Sequence, residues 1–166
     1  MTGGNTELVV ERRVAASPAT VFSFFADRDH WLRWQGVEAD IDPQPGGLFR
    51  MNVRGDGFAS GRFVEVEPDR RLVFTWGWEM PGNPVGPGSS TVEIDLIPDG
   101  VETIVRLTHR GLPDEAFETH RLGWEHYIGR LAIRASGDDP GRDPAVLTSP
   151  RRATRTLDSL TDLGRE

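Results

Sequence analysis

The chain has 166 residues, a formal net charge of −7 and no cysteine. Its length suits one ordinary domain, and the absence of cysteine excludes disulfides, thiolate metal sites and cysteine nucleophiles. The acidic balance argues against a nucleic-acid partner, and no apolar run approaches the roughly 20 residues that span a bilayer. The N-terminal residues do not have the pattern of a signal peptide, so we expect a cytoplasmic location.

The N-terminal region predicts one strand followed by two short helices. Residues 7–13 mix leucine and valine with charged residues, which is typical of a strand with one buried face. Ser17 and Pro18 indicate a helix start, because serine caps free amide groups and proline suits the first helical position. Asp27 or Asp29 is expected to cap a second short helix that carries two tryptophans.

The middle of the chain predicts a run of short antiparallel strands. Glycine, proline and aspartate mark the turns, and the short links between successive segments favour antiparallel pairing. The predicted strands are residues 48–53, 58–66, 71–78, 91–97 and 101–109. A loop at residues 80–90 is longer than a hairpin needs, so we expect it to be mobile and to border a functional site.

Alternation along these strands gives the sheet one apolar face. Phe74, Trp76 and Trp78 share that face on one strand, and His109 ends another strand on the same side. A sheet with one apolar face must bury it against another layer.

Residues 113–135 predict the helix that covers this face. At ~1.5 Å per residue it reaches ~30 Å, which is long enough to cross the sheet. Trp124 and Leu131 lie near one apolar stripe, with Tyr127 beside it. We expect Gly123 where the helix comes too close to the sheet for a side chain.

The chain divides into three predicted segments. Residues 1–6 are expected to be a flexible N-terminus and residues 7–136 to be one folded domain. From residue 137 glycine, proline, aspartate and arginine dominate, which predicts a polar, arginine-rich tail that contributes little to the core. A terminal helix is expected near residues 154–163. The element order favours an α+β helix-grip fold, in which a curved antiparallel sheet wraps around the long helix.

The chain resembles the SRPBCC (START-like) superfamily. Within it, the chain is similar to the bacterial branch related to the C-terminal domain of the activator of the ninety-kilodalton heat-shock protein's ATPase. The matching segments keep their order and spacing over about residues 7–136. They are VERRVAASPATVFSFF, the W-x-x-W of Trp31 and Trp34, PGGLFRM, GRFVEVEPDRRLVFTW, the strand Thr103 to His109 with RGLP after it, and HRLGW at His120 to Trp124.

This resemblance implies a cavity between the sheet and the long helix that binds a small hydrophobic or amphipathic molecule. The residues that it places around the cavity are Trp34, Phe49, Phe74, Trp76, Trp78, His109, Trp124, Tyr127 and Leu131. A packed aromatic core is the competing interpretation of the same residues. No cofactor or metal is expected, and a homodimer stays open.

Two other functions remain open. A polyketide-cyclase-like or hydrolase-like enzyme would use the same cavity, with His109 and either Glu65 or Tyr127 as acid–base groups. A chaperone cofactor is suggested by the family name alone.

Histidines and carboxylates are the candidate polar groups of the cavity. His109 is the best candidate, although a hydrogen-bonded structural histidine is the favoured interpretation. His120 and His126 are six residues apart, whereas shared metal ligation on a helix needs four. Glu65 shares strand parity with an inward-facing phenylalanine, and Glu79 follows the aromatic strand. For both, an exposed or ion-paired role is favoured over that of a cavity acid.

Overall fold

The computed structural model describes residues 7–147, so residues 1–6 and the helix predicted near 154–163 lie outside the described residues. The elements in chain order are β1 (Leu8–Val14), α1 (Pro18–Ala26), α2 (Arg28–Trp31), β2 (Glu38–Ile41), β3 (Leu48–Asn52), β4 (Phe58–Glu67), β5 (Arg71–Trp76), β6 (Ser90–Asp99), β7 (Glu102–Arg110) and α3 (Asp114–Ala135). No helix among residues 7–147 is long and apolar enough to cross a membrane.

The seven strands form one antiparallel sheet in the order β1-β7-β6-β5-β4-β3-β2. Strand β1 pairs with β7, the last strand. From β7 to β2, neighbouring strands in the sheet are also consecutive in sequence. The sheet curves around α3, which lies across its apolar face. This architecture confirms the predicted α+β helix-grip fold.

Side-chain caps start the two short helices where the sequence indicates. The Ser17 hydroxyl accepts a hydrogen bond from the Thr20 amide at 3.2 Å. The Asp27 carboxylate accepts one from the His30 amide at 3.0 Å, so Asp27 rather than Asp29 caps α2. Each cap satisfies an amide that has no partner within its helix.

The sequence prediction lacks two features of the sheet. They are strand β2 and a change in the alternation of side chains within β4. Strand β2 is only four residues long and has a single buried side chain, Ala39, so it carries little periodic signal. In β4 the register shifts between Phe63 and Glu65, which is a β-bulge. Because a bulge inserts one unpaired residue, Glu65 leaves the face that holds Phe63 and moves to the outer face.

The core beside α1 and α2 is closely packed with aromatic rings. Trp31 and Trp34 stack with ring centroids 5.7 Å apart, and Phe49 stacks on Phe74 at 4.5 Å. All four side chains are buried. This part of the interior is therefore a solid core rather than a space for a ligand.

Residues 138–147 dock on the domain, although the sequence predicts a loose tail from residue 137. The Arg130 guanidinium donates to the Gly141 carbonyl at 2.7 Å, and the Leu147 amide donates to the Arg54 carbonyl at 2.7 Å. The expectation of a loose tail is therefore wrong for residues 138–147. Sequence periodicity does not reveal this docking, because the docked residues make these two contacts through their own main-chain groups and not through their side chains.

Candidate functional site

A cavity of about 580 Å³ lies between the sheet and the first half of α3. Its helical wall runs from Glu115 to Tyr127, which at ~1.5 Å per residue is ~18 Å of helix. The cavity opens to solvent beside Leu122, whose side chain is half exposed. The predicted loop supplies Met80, Asn83 and Pro84, so it borders the cavity as expected, and its mobility stays a prediction.

Gly123 faces this cavity instead of touching the sheet. A Cβ atom built at Gly123 meets no heavy atom within 4 Å, and the residue lines the cavity. The expectation of close helix–sheet contact at this position is wrong. The helix stands away from the sheet here, and that separation creates the space.

Three of the five tryptophans form the aromatic wall of the cavity. Trp76 lies between the other two, with its ring centroid 5.3 Å from Trp78 and 5.2 Å from Trp124. Trp78 lies beyond the end of β5, where it forms a single bridge with Ala59. The wall therefore combines two strand-side indoles with one indole from α3.

His120 holds two of these indoles in place. Its Nε2 atom accepts hydrogen bonds from Nε1 of Trp76 at 3.3 Å and of Trp78 at 3.1 Å. Because indole N–H groups only donate, the ring proton lies on Nδ1, which donates to the Ala116 carbonyl at 2.8 Å. Burial lowers the pKa of His120, although the bond to the Ala116 carbonyl opposes the shift.

His109 holds the third indole from behind the wall. Its Nδ1 accepts from Nε1 of Trp124 at 2.9 Å, so Nε2 carries the proton and donates to Ser90 Oγ at 2.8 Å. The Ser90 hydroxyl in turn donates a hydrogen bond to the Trp76 carbonyl at 2.8 Å. Burial, and to a smaller extent the neighbouring His120, lowers the pKa of His109 to about 3. Both ring nitrogens are occupied, so His109 is a hydrogen-bonded structural histidine.

One end of the cavity, here called the inner end, is formed by Gln35, Val53, Arg54, Tyr127 and Ala145 and is more polar than the aromatic wall. The Arg54 side chain at this end is half exposed. Gln35 is only 3% exposed, and its Oε1 atom accepts from Nε1 of Trp31 at 2.9 Å. The Tyr127 hydroxyl is buried and has no hydrogen-bond partner among residues 7–147. Burial, followed by the nearby Asp143 carboxylate, raises the pKa of Tyr127, which keeps the phenol protonated.

The docked C-terminal segment borders this inner end. Asp143 is buried, and its Oδ1 atom accepts from His126 Nε2 at 2.7 Å and from the Ala145 amide at 2.9 Å. Burial alone would raise the pKa of Asp143, but the hydrogen bonds from Ala145 and His126, together with the nearby Tyr127 hydroxyl, outweigh it and lower that pKa. The segment thus brings a carboxylate to the edge of the cavity and a methyl group, from Ala145, to its wall.

The structure brings four of the nine predicted site residues to the cavity and five to the packed interior. The cavity residues are Trp76, Trp78, Trp124 and Tyr127. The other five, Trp34, Phe49, Phe74, His109 and Leu131, are buried without lining the cavity. Gln35 and Arg54 line the cavity, and His120 accepts hydrogen bonds from two indoles of its wall. None of these three roles is predicted from the sequence. The W-x-x-W pair next to Gln35 was the one signal near that position.

Neither predicted carboxylate lies at the cavity. Glu65 is 39% exposed on the outer face and pairs with Arg71, with Nε and Oε1 3.2 Å apart. Glu79 accepts two hydrogen bonds from the Arg50 guanidinium, at 2.7 and 2.8 Å. Both are ion-paired surface groups, which was the favoured interpretation.

Comparisons with known proteins agree with this fold and locate its family. The chain matches the family described as Activator of Hsp90 ATPase homolog 1-like protein over residues 15–135. It matches no curated protein sequence at a significant level. An AHSA1-like protein of Rhizobium etli is 46% identical, with a TM-score of 0.66, and the match covers 89% of this chain and 94% of that one.

Two other solved structures extend the comparison. DynU16, a protein of the dynemicin biosynthetic locus, is 26% identical with a TM-score of 0.71. That match covers 82% of this chain and 49% of DynU16, so the chain spans about half its length. The Aha1 dimer of Colwellia psychrerythraea is 16% identical with a TM-score of 0.68, covers 80% of this chain and 97% of that one, and shows the fold alone. The chain belongs to the Activator of Hsp90 ATPase homolog 1-like family.

Proposed function

We propose that the protein binds a small amphipathic molecule with an aromatic body in the cavity between the sheet and α3. The cavity itself carries this proposal. Its volume of about 580 Å³ lies within the ~300–1,000 Å³ usual for small-molecule sites, and apolar walls surround a few polar groups. Aromatic walls of this kind favour flat rings, which pack on indole faces.

The relationship to DynU16 is consistent with a small-molecule ligand. DynU16 belongs to the dynemicin biosynthetic locus, and its match covers 82% of this chain. The proposal takes only the ligand class from this comparison. Which compound binds is decided by the residues of this cavity.

No second function has an observation of its own among residues 7–147. The acid–base role considered for His109 has no free ring nitrogen to use, because Trp124 and Ser90 occupy both. Of the two partners considered for it, Glu65 lies on the opposite face of the sheet and pairs with Arg71, and burial raises the pKa of Tyr127, which keeps that phenol protonated. We therefore propose binding rather than this catalytic arrangement.

Tryptophan fluorescence tests the proposal directly. The wild-type protein is titrated with laurate, a sterol and aromatic compounds of two to four rings. We expect the aromatic compounds to quench or shift the emission, because Trp76, Trp78 and Trp124 line the cavity. The response should fall in Trp78→Phe and persist in the matched control Trp34→Phe, whose indole lies in the packed core. The absence of any response to the whole panel would contradict the proposal.

Two further points belong to this proposal. We expect the protein to act in the cytoplasm, as inferred from the sequence, which fractionation of expressing cells would test. Whether the protein forms a homodimer stays open, and sedimentation equilibrium would measure its oligomeric state.

A further inference from the structure

We propose that the cavity selects a neutral aromatic ligand whose carbonyl oxygen accepts a hydrogen bond from the side-chain amide of Gln35. This inference rests on the proposed binding function and adds the chemical class and orientation of the ligand. It follows from three features: one unpaired donor, balanced charges around it, and an aromatic wall without free donors.

Gln35 supplies the unpaired donor. Its side chain is almost fully buried and lines the inner end of the cavity. The indole of Trp31 can only donate, so the atom that it contacts must be the carbonyl oxygen of Gln35. This fixes the amide orientation and leaves the Nε2 amino group without a partner among residues 7–147. The amino group lies at a residue that lines the cavity, where it can donate to a ligand oxygen in place of water.

Tyr127 lies at the same end. Its hydroxyl is buried and likewise unpaired within the described part of the chain. Arg130, three residues further along α3, donates to the Trp34 carbonyl at 3.3 Å, which brings this part of the helix next to Gln35. The Tyr127 hydroxyl itself is occluded and lies near the Asp143 carboxylate, so the Gln35 amide is the donor that this end presents to a ligand.

The charges around the inner end favour a neutral acceptor over a carboxylate. Arg54 lines the cavity and pairs with Asp56 at 3.1 Å. Arg130 does not line the cavity, and its guanidinium donates to the carbonyls of Trp34 and Gly141. A carboxylate ligand at this end would lie near the Asp143 carboxylate and would have to compete with Asp56 for Arg54. Burial of an unpaired charge is strongly unfavourable, whereas a ketone, quinone, lactone or amide oxygen carries no such penalty.

The aromatic wall orients the rest of the ligand. The indole N–H groups of Trp76, Trp78 and Trp124 all donate to histidine nitrogens of the protein. These rings therefore present carbon surfaces to the cavity and offer no hydrogen bond to a polar group. The ligand's rings lie against this wall, and its carbonyl group points toward Gln35.

Three probes with one naphthalene body test the inference by titration calorimetry of the full chain. They are 2-acetylnaphthalene, 2-ethylnaphthalene and 2-naphthoate, and the sparingly soluble hydrocarbon is measured by competition with the ketone. We expect the ketone to bind about threefold to tenfold more tightly than the hydrocarbon, which is the net value of one hydrogen bond. We expect the carboxylate to bind more weakly than the ketone.

The variant Gln35→Met identifies the donor. It should remove most of the preference for the ketone while the hydrocarbon still binds. The carbonyl carbon of labelled 2-acetylnaphthalene gives a second readout, because its NMR signal should move downfield in wild-type protein and less in Gln35→Met. If the variant fails to fold, the ketone–hydrocarbon comparison in wild-type protein still decides the outcome.

The possible failures are distinguishable. Equal affinity for ketone and hydrocarbon, or a preference that survives in Gln35→Met, overturns the role of Gln35 and leaves the binding function standing. Tighter binding of the carboxylate overturns the neutral ligand class. If no probe binds, the proposed function and this inference fall together.

Discussion

Gly123 gives a test in which stability and binding are expected to change in opposite directions. It lies in the interior of α3 and a Cβ atom there meets only open space. Replacing a glycine inside a helix by alanine stabilises a protein by about 1 kcal/mol, because glycine loses more backbone freedom on folding. For a domain of this size that gain raises Tm by about 3 °C.

The larger substitution Gly123→Leu fills the cavity. Its side chain extends into the ~580 Å³ space and gains contacts with the aromatic wall, so we expect stability at least equal to that of Gly123→Ala. A ligand can no longer occupy the same volume. We therefore expect affinity for 2-acetylnaphthalene to fall at least tenfold, or about 1.4 kcal/mol.

Urea denaturation and calorimetric titration measure the two effects on the same samples. The matched control is Gly129→Ala, since Gly129 lies on the same helix and does not line the cavity. Its added Cβ meets only the end of the flexible Arg12 side chain, at 3.3 Å. The control should be stabilised without a loss of affinity. A destabilised Gly123→Leu, or one that keeps wild-type affinity, would refute the open space at this position.

Three further predictions concern the docked segment, the buried histidine and the aromatic wall. A chain ending at residue 137 should be about 2 kcal/mol less stable in urea denaturation than one ending at residue 147, because the hydrogen bonds between residues 138–147 and the domain are lost. Equal stability would mean that residues 138–147 do not dock. The pKa of His109 is lowered from 6.5 to about 3 in the folded protein, so the unfolded chain takes up a proton at this residue first as the pH falls. The contribution of His109 to the free energy of unfolding is therefore fully present above pH ~6.5 and is lost below it. Between pH 7 and pH 5 the free energy of unfolding should fall by about 2 kcal/mol through this residue, and the fall should be smaller in His109→Phe. An unchanged dependence of stability on pH in that variant would contradict the prediction. Trp124→Ala should cost about 2–3 kcal/mol, less than the ~4–5 kcal/mol expected for Trp34→Ala, because one face of Trp124 already borders empty space. Equal losses in the two variants would indicate that Trp124 is packed on all sides.

Local features of the sequence determined the order of elements and the buried face of the strands. Serine and aspartate at helix starts accept hydrogen bonds from amides within three residues, so the sequence indicated Ser17 directly and narrowed the second cap to Asp27 or Asp29. Alternation along β5 placed Phe74 and Trp76 on the inner face, because neighbouring side chains in a strand point to opposite sides. These rules fail where the backbone departs from the regular pattern, as the bulge before Glu65 does.

The division of the aromatic residues between core and cavity was decided only by the tertiary structure. Phe74 and Trp76 share a strand face, yet Phe74 stacks on Phe49 while Trp76 borders open space. Whether a buried ring meets another ring or a void depends on how far α3 stands from the sheet. That distance is set by contacts between segments remote in sequence, which periodicity along the chain does not record.

The polar inner end has the same origin. The amide of Gln35 is oriented by the Trp31 indole, and the docked segment that carries Asp143 and Ala145 reaches the cavity from beyond the end of α3. Composition gives residues 138–147 the character of a tail, since they lack an apolar period. Their position is fixed instead by hydrogen bonds to main-chain groups and by one buried carboxylate, and such contacts exist only once the sheet and α3 have brought their partners together.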